Sequence, residues 1–382
     1  MATSHDPERL PAAVHRGRFI DLLRTVAILA IVGQHWTEPV LCGDGTFLPA
    51  AGAPTLRGDW LSAWISPVLP LVFFAGGAAA AASLHTRGRE TGAGPAWSWS
   101  ADHAIRSAAP VLPLVVAWLL LPHPLVAAGV PEQPVHSVAG LVGRLIWFWT
   151  VYAVLTSLTP VLVRLHERCR GLEMIVMVAG AAAIEAVRLI GVDRTNWLGA
   201  ANVVLVLGVV CQAGIAYSRG RFDHVRRARM LALAAGALLA SVLTLGPYAL
   251  GMLAGPGEPS SSSSPPAITL LGLAAAQLGL LLGIRNAIER WASHRPVAAM
   301  LEWISARTMT IYLWHVPALA AVAGIAAIGH DVTGRFVAGW EVEAPLRLAT
   351  VTFVLACLVC ASDRYERHAR QYLARRRQQG WG

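Results

Sequence analysis

The chain has 382 residues, 55% of them hydrophobic and only 14% charged, with a net charge of +9. Soluble globular domains carry about 25% charged residues, so an ordinary soluble fold is excluded, and disorder needs the opposite balance. At about 20 apolar residues per crossing, a chain this long holds about ten membrane spans with short connections. No separate soluble catalytic domain fits beside them, so any chemistry must be built by membrane helices and their loops.

All 31 basic residues are arginine. They lie between apolar stretches rather than in one basic tract, which fits membrane topology and argues against a nucleic-acid partner. The five cysteines (Cys42, Cys169, Cys211, Cys357, Cys360) show no metal-ligand spacing with histidine. Cys357 and Cys360 form a C-x-x-C inside an apolar run, where two small residues on one helix face are the expected reading, so no metal site is assigned.

Ten apolar segments follow in order, at 19–40, 60–84, 107–129, 139–163, 172–190, 197–217, 230–254, 267–289, 309–329 and 344–362. The expected fold is all-α, a polytopic membrane helix bundle of about ten transmembrane helices. A cytoplasmic N-terminal tail covers 1–18, the membrane domain 19–362 and a cytoplasmic arginine-rich tail 363–382. Asp21, Arg24 and His35 make the first segment too polar for a cleaved signal peptide, so it is expected to be retained.

Arginine bias sets the orientation. With the N-terminus inside and sides alternating, 24 arginines fall on the inner face. Only Arg57, Arg144, Arg188, Arg194, Arg335 and Arg347 fall outside, and Arg24 lies within the first segment. The positive-inside rule then gives a multi-pass protein of the cell membrane with both termini cytoplasmic. The GPGEPSSSSSPP stretch at 255–266 reads as a flexible outer connector. No internal repeat is visible, which weakens a transporter built from two related halves.

Ionisable groups inside a span are functional candidates, because burial is costly unless they pair or face a cavity. The first segment, RFIDLLRTVAILAIVGQHW, is the outstanding case. Arg24 and His35 are eleven residues apart, within about 20° of three full turns, so they share one face about 16 Å apart along the axis. Asp21 precedes Arg24 by three positions and is expected to pair with it, and Glu38 follows His35 by three and could orient its ring. A snorkelling Arg24 and a structural His35 are the alternative reading. In the ninth segment, SARTMTIYLWHVPAL, Tyr312 and His315 are an i, i+3 pair, and Pro317 frees a nearby carbonyl. There the alternative is a histidine bonded to helix backbone.

The second segment carries Gly76, Gly77 and a run of alanines, best read as close helix packing. Before the third segment, WSWSADHAIRSAAP places His103 and Arg106 one turn apart at an expected helix start, where backbone donors also favour anions. A phosphate-bearing ligand suits this cluster, and a purely topogenic loop would look the same. Trp147 and Trp149 fit an interfacial aromatic belt. Nucleotide-binding glycine loops, GxSxG elbows and HExxH motifs are absent from the sequence.

The combination resembles the integral-membrane acyltransferase-3 family. RFIDLLRTVAILAIVGQHW is similar to the family's opening D-x-x-R…H helix, with its Arg-x10-His spacing at Arg24 and His35. LVFFAGGAAAAASL resembles its FF-x-x-G segment, the stretch around Arg106 precedes PVLPL, and TIYLWHVP resembles its C-terminal Y-x-x-H-x-P signature. Together these stretches span residues 18 to about 317.

The resemblance implies transfer of an acyl group, acetyl foremost, from cytoplasmic acyl-CoA to a hydroxyl of a glycan or small-molecule acceptor. It places the essential histidine at His35 and its paired arginine at Arg24; Glu38, by its spacing, and the Tyr312–His315 pair are read beside them as supporting residues. Acyl-CoA contacts fall to Arg24, Arg106 and His103, with acyl-CoA a co-substrate rather than a resident cofactor. One departure stands out: where the family often has R-x-x-R, this chain has His103-x-x-Arg106. The chemistry agrees, since a neutral imidazole activates a hydroxyl for attack on a thioester and guanidinium binds phosphate bidentately. The competing class is a secondary transporter with His35, Glu38 and His315 as a proton relay. The alanine-rich, arginine-only composition points to a high-GC bacterium, and the implied acyl transfer places the protein in the bacterial cell envelope, with membrane lipid as the surrounding partner.

Overall fold

In lipid, a helix is the one open-ended element that satisfies its own backbone hydrogen bonds. The computed structural model describes residues 12–37, 68–91, 96–129, 132–190, 197–222, 236, 268–333 and 344–378, and among them helices alone provide the regular structure. In chain order these are α1 (Ala12–Thr37), α2 (Leu69–Thr91), α3 (Ala96–Ala108), α4 (Val111–Leu120) and α5 (Pro122–Ala127). Next come α6 (Glu132–Ser157), α7 (Thr159–Cys169), α8 (Leu172–Leu189) and α9 (Trp197–Ser218). The last are α10 (Ile268–Gly283), α11 (Arg285–Ala292), α12 (Arg295–Thr333) and α13 (Ala344–Gln378).

Six of the described helices are long and apolar enough to cross a bilayer, or as many as eight if two bent helix pairs each count as one span. The all-helical, multi-pass architecture expected from composition is therefore present. Segment 230–254 apart from residue 236, the connector at 255–266 and Glu38 lie outside the described residues. Leu119 (69% exposed), Ile175 (65%) and Phe353 (70%) point outward, an arrangement costly in water and natural against lipid chains.

Several single segments of the sequence reading are broken helices. Segment 107–129 is divided by the Ala109–Pro110 turn, with α3 bent by 45° against the α4–α5 stretch. Segment 267–289 bends by 63° between α10 and α11. Segment 139–163 is split at Leu158, where Pro160 opens the first turn of α7. Proline lacks the N–H that would continue the preceding helix, so each proline break falls where the backbone ladder has already lost a rung. Between α7 and α8, Arg170 (φ 55°) and Gly171 (φ 108°) take left-handed conformations that reverse the chain.

The chain divides into two compact units. The first comprises residues 1–27, 57–94 and 158–306. Its core is the crossing of α2 and α9, with Phe73, Phe74, Leu207 and Ile215 fully buried. A Cβ at Gly77 would overlap the Cys211 carbonyl, and one at Gly214 would overlap the Phe74 carbonyl. The two backbones thus touch directly, as expected for Gly77 in a membrane bundle. Tyr217 packs its ring against Phe19 at 5.7 Å and Phe74 at 5.5 Å.

The second unit comprises residues 28–56, 95–157 and 307–382. Ser100 donates to the Ser157 carbonyl at 2.8 Å, and the Trp149 indole donates to the Ser107 carbonyl at 3.0 Å, joining α3 to α6. Trp149 therefore ties two helices together, while Trp147 remains 47% exposed. Arg307 of α12 meets Asp363 of α13 at 3.3 Å, and Arg367 adds a second guanidinium to that carboxylate at 3.4 Å.

Candidate active site

The end of α1 and the middle of α12 meet through two histidines within the second unit. Apolar α1 positions Ile28, Ile31, Val32 and Trp36, the i, i+3, i+4, i+8 pattern of one helix face, are buried, and this ridge carries His35 beside it. His35 Nδ1 lies 2.7 Å from His315 Nε2, with the rings 3° from parallel and 5.0 Å apart. His315 is fully buried, whereas His35 is half-buried. The Trp36 indole N–H donates to the His315 backbone carbonyl at 3.1 Å, so adjacent residues of α1 grip both ends of one α12 residue.

Tyr312 sits one turn before His315. Its backbone carbonyl accepts from His315 Nδ1, while its phenol donates to the Leu145 carbonyl of α6 at 3.4 Å. Phe148 packs on the Tyr312 ring at 4.9 Å. Pro317 lies inside the continuous α12 and removes one donor from the turn that carries His315. The expected Tyr312–His315 pair therefore meets through backbone rather than through its two polar ends. The reading of His315 as a histidine bonded to helix backbone is met by one nitrogen, and the other nitrogen faces His35.

Other expectations change. Asp21 does not take Arg24 as its partner; Ser305 of α12 donates to its carboxylate at 2.8 Å within the first unit. A short hydroxyl reaching from a neighbouring helix satisfies that oxygen. Arg24 belongs to the first-unit part of α1 and is partly buried. His103 and Arg106 do not open a helix: α3 begins at Ala96, and Arg106 lies in its last turn. That end presents carbonyls, so the backbone-donor argument for an anion there falls away and the guanidinium remains. His103 stacks on Trp99 at 4.8 Å and 12°, a ring platform the sequence reading did not foresee.

A second buried histidine, absent from the sequence reading, lies in the first unit. Across the Arg170–Gly171 reversal, His166 Nδ1 faces Glu173 Oε1 at 2.5 Å. The Gly171 N–H donates to Oε2 at 2.8 Å, and Gln212 of α9 donates to Oε1 at 3.3 Å and to the Leu162 carbonyl at 2.9 Å. Its signal was a histidine and a glutamate flanking an Arg-Gly turn, hidden among the inner arginines. The carboxylate of Glu185 is likewise buried and receives the Ile268 N–H at the start of α10, at 2.7 Å.

The chemistry available is that of a partly accessible imidazole backed by a buried one, with guanidinium groups elsewhere on α1 and α3. No curated protein and no solved structure matches this chain. The family model described as an acyltransferase domain matches residues 18–362, from just before the Asp21–Arg24–His35 helix to the end of the last apolar segment. The chain is a multi-pass membrane acyltransferase and belongs to the acyltransferase-3 family.

Proposed function

We propose that the protein moves an acyl group, acetyl foremost, from cytoplasmic acyl-CoA to a hydroxyl of a glycan or small-molecule acceptor, with His35 as the general base. The observation that carries this reading is the 2.7 Å contact of His35 with His315 in a chain of the acyltransferase family. A hydroxyl near neutral pH is a poor nucleophile, and an imidazole that accepts its proton as the oxygen attacks a thioester speeds the step. Trp36, Tyr312 and His315 support the ring; Glu38 remains a candidate supporter from its position three residues on. The family match favours acyl transfer over the competing transporter reading.

For the donor, Arg106, with His103 beside it, supplies charge for the phosphates of coenzyme A, and Arg24 is a second candidate from its place eleven residues before His35. In purified protein, acetyl-CoA with a hydroxyl acceptor should release free thiol, and His35→Ala should reduce that release by about 10²–10⁴-fold. Arg106→Ala should weaken coenzyme A binding by about 10- to 150-fold, the equivalent of losing one charge-assisted contact. Wild-type turnover in folded His35→Ala would remove the base assignment. Unchanged coenzyme A affinity in Arg106→Ala would move the donor site toward Arg87 and Arg89.

The proposed location is the bacterial cell membrane with both termini cytoplasmic, which rests on the arginine distribution. In intact cells, a single cysteine introduced at Ser262 should label from outside and one in the 219–229 loop should be protected. The reverse pattern would overturn the orientation and the cytoplasmic origin of the donor with it.

A further inference from the structure

Resting on the reading of His35 as the base, we propose that His315 is a positioning residue that holds His35 in the one tautomer able to act. A backbone carbonyl has no hydrogen to give. The Tyr312 backbone carbonyl faces His315 Nδ1, so that nitrogen carries the proton. A neutral imidazole has a single N–H, which leaves His315 Nε2 as an acceptor. The atom facing it, His35 Nδ1 at 2.7 Å, is then the donor. In that neutral tautomer His35 Nε2 carries the ring's lone pair, the electron pair needed to take a proton from an attacking hydroxyl.

His315 does not reach a substrate itself. It is fully buried, and its two ring nitrogens are engaged by Tyr312 and His35. Trp36 fixes its backbone through the indole N–H at 3.1 Å, so the residue next to the base helps hold the acceptor that orients the base. The near-parallel rings, 3° apart, keep the N–H and the lone pair aligned.

The same contact serves both halves of the reaction. The acceptor hydroxyl gives its proton to His35 Nε2 as its oxygen bonds the acyl carbon of the thioester. The C–S bond then breaks, and the proton on Nε2 passes to the departing sulfur, giving ester and free thiol. While His35 carries both protons, its Nδ1–H still points at His315 Nε2, an acceptor that stabilises the positive ring. No further reactant is consumed.

The test compares His315→Leu, which removes the acceptor, with His315→Gln, whose amide oxygen can sit where Nε2 was, in full-length protein in lipid nanodiscs with acetyl-CoA as the probe donor. His315→Leu should lose about 100-fold in kcat, on the scale of lost general-base catalysis, with KM for acetyl-CoA unchanged within about threefold. His315→Gln should recover to within about tenfold of the native rate, because an acceptor again faces His35 Nδ1. If His315→Leu does not fold, His315→Asn replaces it: its amide ends near the Nδ1 position and should stay about 100-fold slow. A native kcat in the variant lacking the acceptor, or His315→Gln as slow as that variant, overturns the proposal. If His35→Ala turns over normally, the base reading itself fails. If His35→Ala is inactive while His315→Leu keeps full kcat, the base stands and the positioning role falls.

Discussion

The two buried histidine centres differ in partner and in access. In the second unit, His35 faces another imidazole and is half-buried, and that partner is enclosed. In the first unit, His166 is only 4% exposed and faces a carboxylate that also collects Gly171 and Gln212. In each centre a backbone or carboxylate oxygen decides which nitrogen carries the proton. A settled tautomer alone therefore does not make a base. His166 Nε2 is buried with no hydrogen-bond partner among the described residues, which suits a clamp across the α7–α8 reversal rather than a group that meets substrate. The proposed base, His35, combines a ring nitrogen facing His315 with partial exposure, the combination that proton transfer from a hydroxyl requires.

The largest expected effect separates the two centres by readout. His35→Ala should cut thiol release by about 10²–10⁴-fold while lowering the thermal midpoint only slightly, because the ring is half-buried and a single bond to His315 is lost. His166→Ala should do the opposite, lowering the midpoint while turnover per folded molecule persists. Parallel losses in both variants, measured by activity and thermal unfolding on the same samples, would erase the distinction.

Glu173→Ala sharpens the clamp side. It leaves His166 Nδ1 and the Gly171 N–H without their acceptor inside the bundle, and buried orphaned donors cost about 1–3 kcal/mol each. A total near 3 kcal/mol should appear in equilibrium unfolding in detergent, and native stability would break the clamp reading. Glu173→Gln should cost less, since its amide oxygen still accepts one bond.

The smallest effect belongs to Trp36. Trp36→Phe keeps the buried ring but removes the N–H that holds the His315 carbonyl, a bond worth about 1 kcal/mol. A drop in kcat of about fivefold, with the donor KM unchanged, is the expected outcome. A loss as large as that of His315→Leu would mean that Trp36 does more than steady its neighbour.

Much of the architecture was legible in composition and spacing. A chain with 14% charged residues has to satisfy its backbone in lipid, so helices follow from solvent physics alone. The Gly77 contact could be read from an FFAGGAAAAA run, because only small residues let two helix backbones touch. His35 was visible as a polar group inside an apolar helix. Local signals were weaker at the helix breaks, where apolar runs continue through Ala109–Pro110 and Ile284, and at α3, whose true start put Arg106 at the wrong end for the expected backbone donors.

Residue chemistry and short-range spacing were enough to give the solvent, the element type, the family resemblance and two separate candidate histidines, 35 and 315. Tertiary structure decided the partners. Asp21 takes Ser305 from 284 residues away rather than Arg24 one turn on, and His35 takes His315 across 280 residues. A side chain on a helix reaches neighbours on other helices as readily as those on its own, and which helix stands opposite is set by the packing of whole faces. The proton arrangement at His35 comes last in that order, since it depends on a carbonyl of Tyr312 that no side-chain pattern reveals.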